Sequence, residues 1–137
     1  MVLESEALTF TYERKPEDAR VAHSMNLEID PYAQVTQAAA IVYGRKAGQG
    51  SVLPSYGFAN DYQASHQAYL DAEQRKTHVV LTETNYTQDE LTSAANVYRL
   101  PLPYAVKTFA VQGAAIQNQN TLFTKTELKN TLGLLNV

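Results

Sequence analysis

Hydrophobic and polar residues alternate along much of this chain, with the period of a β-strand. In Ala7–Arg14, "ALTFTYER", Leu8, Phe10 and Tyr12 share one face, and Thr9, Thr11 and Glu13 share the other. A polar connection, "KPEDAR", leads to "HSMNLEID", where Met25, Leu27 and Ile29 stand opposite Ser24, Asn26 and Glu28. After the break "DPYAQ", Val35, Ala39, Ile41 and Tyr43 share a face. The opposite face of that third run, Thr36, Ala38, Ala40 and Val42, is small and mildly apolar, so the pattern allows cover on both sides. "KTHVVLTETNYT", rich in β-branched residues, and "YAVKTFAVQGAA" predict two further strands.

Helical patterning is sparser. Asp61–Arg75, "DYQASHQAYLDAEQR", has good helix formers without glycine or proline and predicts a surface helix. "TQDELTSAANVY" offers Thr87 as a cap with Glu90 three residues on, a short helical turn. "RLPLP" is extended, because each proline disfavours helix in the residue before it. The tail "LFTKTELKNTLGLL" carries the strongest helix signature: Thr124 as cap, Glu127 at the third helical position, and Phe123 placed to staple onto Leu128. Gly133 suits the left-handed residue that ends such a helix, and Leu128, Leu132 and Leu135 give its apolar side.

Between the third and fourth strands, residues 44–60 hold four of the six glycines and read as a flexible loop. The break Asp30–Gln34 lacks glycine and carries Pro31, so it predicts a wider loop than a two-residue hairpin turn. The fold class that follows is mainly β, antiparallel strands and hairpins with a C-terminal helix and one or two short surface helices. It is α+β if the helices are counted. The 137 residues suit one domain, 1–137.

Composition narrows the chemistry. There is no cysteine, which excludes disulfides, thiolate metal sites and a cysteine nucleophile. The net charge is −3 with both signs interspersed, so nothing marks a nucleic-acid surface. No apolar stretch approaches the roughly 18 residues of a membrane span, and the N-terminus lacks the pattern of a signal peptide. His23, His66 and His78 have no metal-ligand spacing, and His23 and His78 read as strand residues on a polar face. There is no phosphate-binding loop, nucleophile elbow or dinucleotide fingerprint. No cofactor is indicated and no catalytic set is visible. Of the nine tyrosines, Tyr12, Tyr32, Tyr43, Tyr86, Tyr98 and Tyr104 lie in or beside strands. Cross-strand packing is the ordinary use of such residues.

The stretch "LTFTYERKPEDARVAHSMNLEIDPYAQVTQAAAIVYGRK" resembles the middle/C-terminal region of the B component of insecticidal toxin complexes, the TcdB and TcaC type. The resemblance rests on Tyr12, Glu13, Arg14, Pro16, Asp18, Arg20, Val21, His23, Leu27, Glu28, Asp30, Tyr32, Val35, Ala39, Ile41, Tyr43, Gly44 and Arg45. "EQRKTHVVLTETNYT", "ANVYRLPLPYAVKTFAVQG" and "FTKTEL" continue it in order. Ala33 and Gln34 depart from the glycine and asparagine of the family's turn, and Ala105 from an acidic position.

The resemblance implies a scaffold rather than an enzyme. The family's B and C components form a hollow β-sheet shell with Rhs/YD-like strand repeats around a cytotoxic cargo, secreted as a larger assembly. It implies partners among neighbouring segments of the B component and the C component, and self-association through exposed strand edges. It also implies structural hairpin and strand contacts at Tyr12, Arg14, Arg20, Asp30, Tyr32, Tyr43, Arg45, Tyr98 and Tyr104. The alternative is a tyrosine-rich binding module for a glycan or host protein.

Overall fold

The computed structural model describes residues 2–12, 17–46, 66, 68–70, 72–87, 100–113 and 121–133. Five strands form one antiparallel sheet: β1 (Glu6–Thr11), β2 (Arg20–Ile29), β3 (Val35–Val42), β4 (His78–Tyr86) and β5 (Pro103–Val111). Their spatial order is their chain order, β1-β2-β3-β4-β5. The described residues of 66–74 are helical and form α1. Helix α2 spans Lys125–Thr131. The expected helical turn after Thr87, the C-terminal Leu135, and residues 47–60 of the glycine-rich stretch lie outside the described residues.

One face of the sheet carries the core. Met25 and Leu27 of β2, Ala39 and Ile41 of β3, and Val79 and Leu81 of β4 pack with Phe123 and Leu128, while Tyr43, Val111 and Leu132 border them. Registers explain this convergence. Met25 stands opposite Ala39 and Ala39 opposite Leu81, so alternate residues of three strands point to one side. α2 seals that side, and its capping box fixes how it enters: Glu127 N–H donates to Thr124 Oγ1, and Thr124 N–H donates to Glu127 Oε2 at 2.9 Å. Gly133 adopts the expected left-handed conformation at φ 69°.

Cover on both sides of β3 is not what the described residues show. Val42 is 50% exposed and Ala40 is exposed, because α2 lies on the opposite face. Apolar alternation marks which residues share a face; it does not say how many faces a helix will cover.

The hairpin Asp30–Gln34 is a three-residue loop, wider than a two-residue turn. Ala33 N–H donates to Asp30 O at 2.9 Å, Asp30 N–H donates to Gln34 O at 2.9 Å, and Ala33 takes φ 67°. This is a turn followed by a left-handed bulge residue, the usual form of a three-residue hairpin loop. Pro31 suits its first turn position. The Asp30 carboxylate replaces much of what glycine would give: Oδ1 accepts from Tyr32 N–H at 2.9 Å and Gln34 N–H at 2.8 Å.

Two ladder bonds fix which backbone groups face which neighbour. Asn26 N–H donates to Ser5 O at 2.8 Å, and Tyr43 N–H donates to Val21 O at 3.0 Å. With the registers, odd residues of β1 therefore bond to β2, odd residues of β2 to β3, even residues of β3 to β4, and odd residues of β4 to odd residues of β5.

Candidate functional site

The densest group of specific contacts lies where β3 ends, at Tyr43, Gly44 and Arg45. Each of the three residues does something different there. Tyr43 Oη accepts from Phe123 N–H at 2.8 Å and lies 3.1 Å from His23 Nδ1. Its ring stacks between His23 and Phe123, with centroids 6.2 Å away on each side. The tautomer of His23 decides which of Nδ1 and Oη donates in that contact, and the other ring nitrogen, Nε2, lies 3.4 Å from Glu6 Oε2. Burial pushes the Tyr43 phenol above its ordinary pKa; the Phe123 bond opposes this, and the Glu6 and Glu127 carboxylates add to it.

Gly44 permits a close backbone approach. A Cβ there would lie 1.9 Å from Arg75 O. Its N–H donates to Thr77 Oγ1 at 3.2 Å, and the next N–H, of Arg45, donates to Gln74 O at 2.7 Å. The end of β3 is thus fastened to the connection between α1 and β4. Arg45 reaches the β1–β2 connection instead: its Nη1 stands 3.5 Å from Asp18 Oδ2 and 3.4 Å from Asp18 O, with both side chains buried. Lys46 N–H adds a 3.4 Å contact to Asp18 Oδ1. The first three residues of the glycine-rich stretch are therefore held by the fold.

The anticipated contact residues divide between two ends of the sheet. Tyr12, 62% exposed, borders an open cleft of about 550 Å³ that Phe10, Asp18, Tyr43, Gly44 and Leu122 also line. Arg20 begins β2, exposed, opposite Thr11. Asp30, Tyr32 and Tyr104 meet at the other end, around a cleft of about 490 Å³ that includes Glu83, Asn85 and Tyr86. Tyr86 Oη donates to Val35 O at 3.3 Å, which ties that end of β4 to the start of β3. Arg14 and Tyr98 lie outside the described residues.

His23 differs from its sequence reading. It is only 4% exposed and sits on the helix-covered face, between Leu8 and Ile41 in register. Its position in phase with Met25 and Leu27 was the available signal. Glu6, Asp18, Thr77 and Phe123 complete the corner, and no local motif announces their roles, because each contact joins distant parts of the chain. Thr87 is also used unexpectedly: its hydroxyl accepts from Leu102 N–H at 3.0 Å. Among the described residues, no three His, Asp or Glu side chains gather as metal ligands. No helix there is long and apolar enough to cross a membrane.

Fold and corner together define a mainly β module, a five-stranded meander sealed by one helix and fastened where β3 ends. The model of the family described as the insecticide toxin TcdB middle/C-terminal region matches residues 1–102. The chain belongs to that family and is a segment of a toxin-complex B component. It is also similar to a chain in a solved structure, "Crystal Structure of TcdB2-TccC3", at 18% identity and a TM-score of 0.53. That match covers 77% of this chain and 5% of the other, so this chain spans a small part of that one's length and the likeness concerns the fold. No curated protein matches the chain.

Proposed function

We propose that this segment is a non-catalytic scaffold of a toxin-complex B component, contributing its sheet to a β-shell that encloses and delivers a cytotoxic cargo. Its partners are then neighbouring segments of the B component and the C component, within a secreted assembly. One observation carries this reading. Five of the residues on which the resemblance rests, Tyr43, Gly44, Arg45, Asp18 and His23, are engaged in contacts that join strand, connection and helix. The solved relative, described as TcdB2-TccC3, pairs two such names, which fits a partner of the C type.

The test uses the full-length B component carrying Gly44→Val, co-produced with its C component. Loss of protease protection of the cargo, with the other B-component regions still folded, is the expected result. Full protection by a B component whose corner is broken would remove the scaffold role.

The second reading, a binding module, draws on the meeting of Tyr32, Tyr86 and Tyr104 around one open cleft beside Glu83 and Asn85. The exposed rings of Tyr32 and Tyr104 and the half-buried ring of Tyr86, beside carboxylate and amide groups, suit a sugar. A glycan array compared between the wild type and Tyr104→Ala separates it from the scaffold: binding lost on substitution supports it, and no binding by the wild type ends it.

A further inference from the structure

Among the described residues the sheet has two edges, β1 and β5. The ladder phase leaves the backbone N–H and C=O groups of Glu6, Leu8 and Phe10 on the outer side of β1, and those of Val106, Thr108 and Ala110 on the outer side of β5. A row of alternating donors and acceptors at strand spacing is matched by another extended backbone. The two edges differ in what stands at those positions. On β1, Glu6 is charged and its carboxylate is directed at His23 Nε2, 3.4 Å away. A strand added there would bury that carboxylate against its own side chains. On β5, all three outward positions are uncharged, and Val106 and Phe109 are 63% and 44% exposed. The one charge of β5, Lys107, has its backbone bonded inward, in register with Glu83.

We propose that β5 is the edge at which this sheet extends, and that β5 of a second copy occupies it in the isolated chain, antiparallel about a two-fold axis at Thr108. Charge placement selects the register. An axis at Lys107 would set two ammonium groups opposite each other, which is unfavourable. An axis at Thr108 sets threonine against threonine and Val106 against the partner's Ala110. It also sets Lys107 beside the partner's Phe109, where the lysine's methylene stem covers the exposed ring. The contact is isologous and closes at two copies. It is a strand edge without a broad face, so the association is weak and visible only at high concentration. The inference stands on ladder geometry, exposure and charge placement at the two edges, so its failure leaves the scaffold reading intact.

Sedimentation equilibrium of the whole chain, from micromolar to near-millimolar loading, tests it. The wild-type average mass rises toward twice the monomer's. Thr108→Pro removes an outward N–H while keeping every β4–β5 bond, and it stays monomeric. Thr108→Lys keeps the backbone, puts two charges at the axis and also stays monomeric, which guards against a proline variant that fails to fold. Leu8→Lys, on the opposite edge, associates like the wild type. The proposal is overturned by a wild type that remains monomeric throughout, by association that persists in Thr108→Lys, by its loss in Leu8→Lys, or by open-ended oligomers larger than a dimer.

Discussion

Replacing Gly44 by alanine adds one methyl group at a place with no room for it. The new Cβ would lie 1.9 Å from Arg75 O, 2.3 Å from Arg75 C and 2.9 Å from Arg75 Cα, where ordinary contact begins at 3.4 Å. All three atoms are backbone, so no rotamer change relieves the overlap. The end of β3 or the start of the β4 lead must move by about 1 Å or more, which is overpacking against a fixed wall. That movement stretches Gly44 N–H···Thr77 Oγ1 at 3.2 Å and Arg45 N–H···Gln74 O at 2.7 Å. Each such bond contributes about 1 kcal/mol net. With the displaced packing, the loss is about 3 kcal/mol, or roughly 10 °C in Tm for a domain of this size. Urea and thermal unfolding followed by far-UV circular dichroism measure it. Gly133→Ala is the internal comparison: it meets nothing within 4 Å and bears only the cost of φ 69°, about 1 kcal/mol. A Gly44→Ala variant no less stable than Gly133→Ala would refute the reasoning, since the larger loss is assigned wholly to the contact with Arg75.

Three further outcomes are expected. Ala33→Gly relieves an alanine held at φ 67° and, after the larger chain entropy of glycine, raises stability by about 0.5 kcal/mol in urea titration. Tyr43→Phe leaves Phe123 N–H and His23 Nδ1 without their phenol partner and lowers stability by about 2 kcal/mol; an unchanged urea midpoint would show the bonds to be dispensable. The pH dependence has two ends. Tyr43 titrates above its ordinary value, so in alkali the folded state keeps a proton the unfolded chain has lost. Its contribution is complete below about pH 10 and is lost as pH rises through the folded value. Glu127 is held below the ordinary carboxylate value by the Thr124 backbone and side-chain bonds. Its contribution is present above the unfolded value and is lost as pH falls through the folded one. Thermal unfolding of Tyr43→Phe and Glu127→Gln in alkali and acid respectively should each show a flattened slope.

Much of the architecture was legible because it is local. Alternation marked the first three strands, β-branched residues the fourth and the run "YAVKTFAVQGAA" the fifth, and the sequence Phe123-Thr124-x-x-Glu127-Leu128 carried the start of α2 in six residues. Pro31 and Ala33 together indicated the wider hairpin loop. What could not be read is tertiary. Nothing near His23 says that Tyr43, twenty positions on, holds one ring nitrogen while Glu6 holds the other. Gly44 looked like the first residue of a loose glycine-rich stretch, because the carbonyl that requires it belongs to Arg75. The side of β3 that stays bare depends on where a helix from the far end of the chain comes to rest.

That helix also sets an order of events during synthesis. Phe123 and Leu128 close a core whose other walls are Met25, Leu27 and Ile41, and Lys129 reaches Glu28 at 3.1 Å across 101 positions of sequence. A nascent chain therefore carries the two core residues of β2, Met25 and Leu27, uncovered while the remaining strands are made. Until residues 123–131 leave the ribosome, the half-built sheet is open to mispairing and to holdase chaperones. A lag in translation at any point after β2 has emerged and before residues 123–131 follow would prolong that exposure.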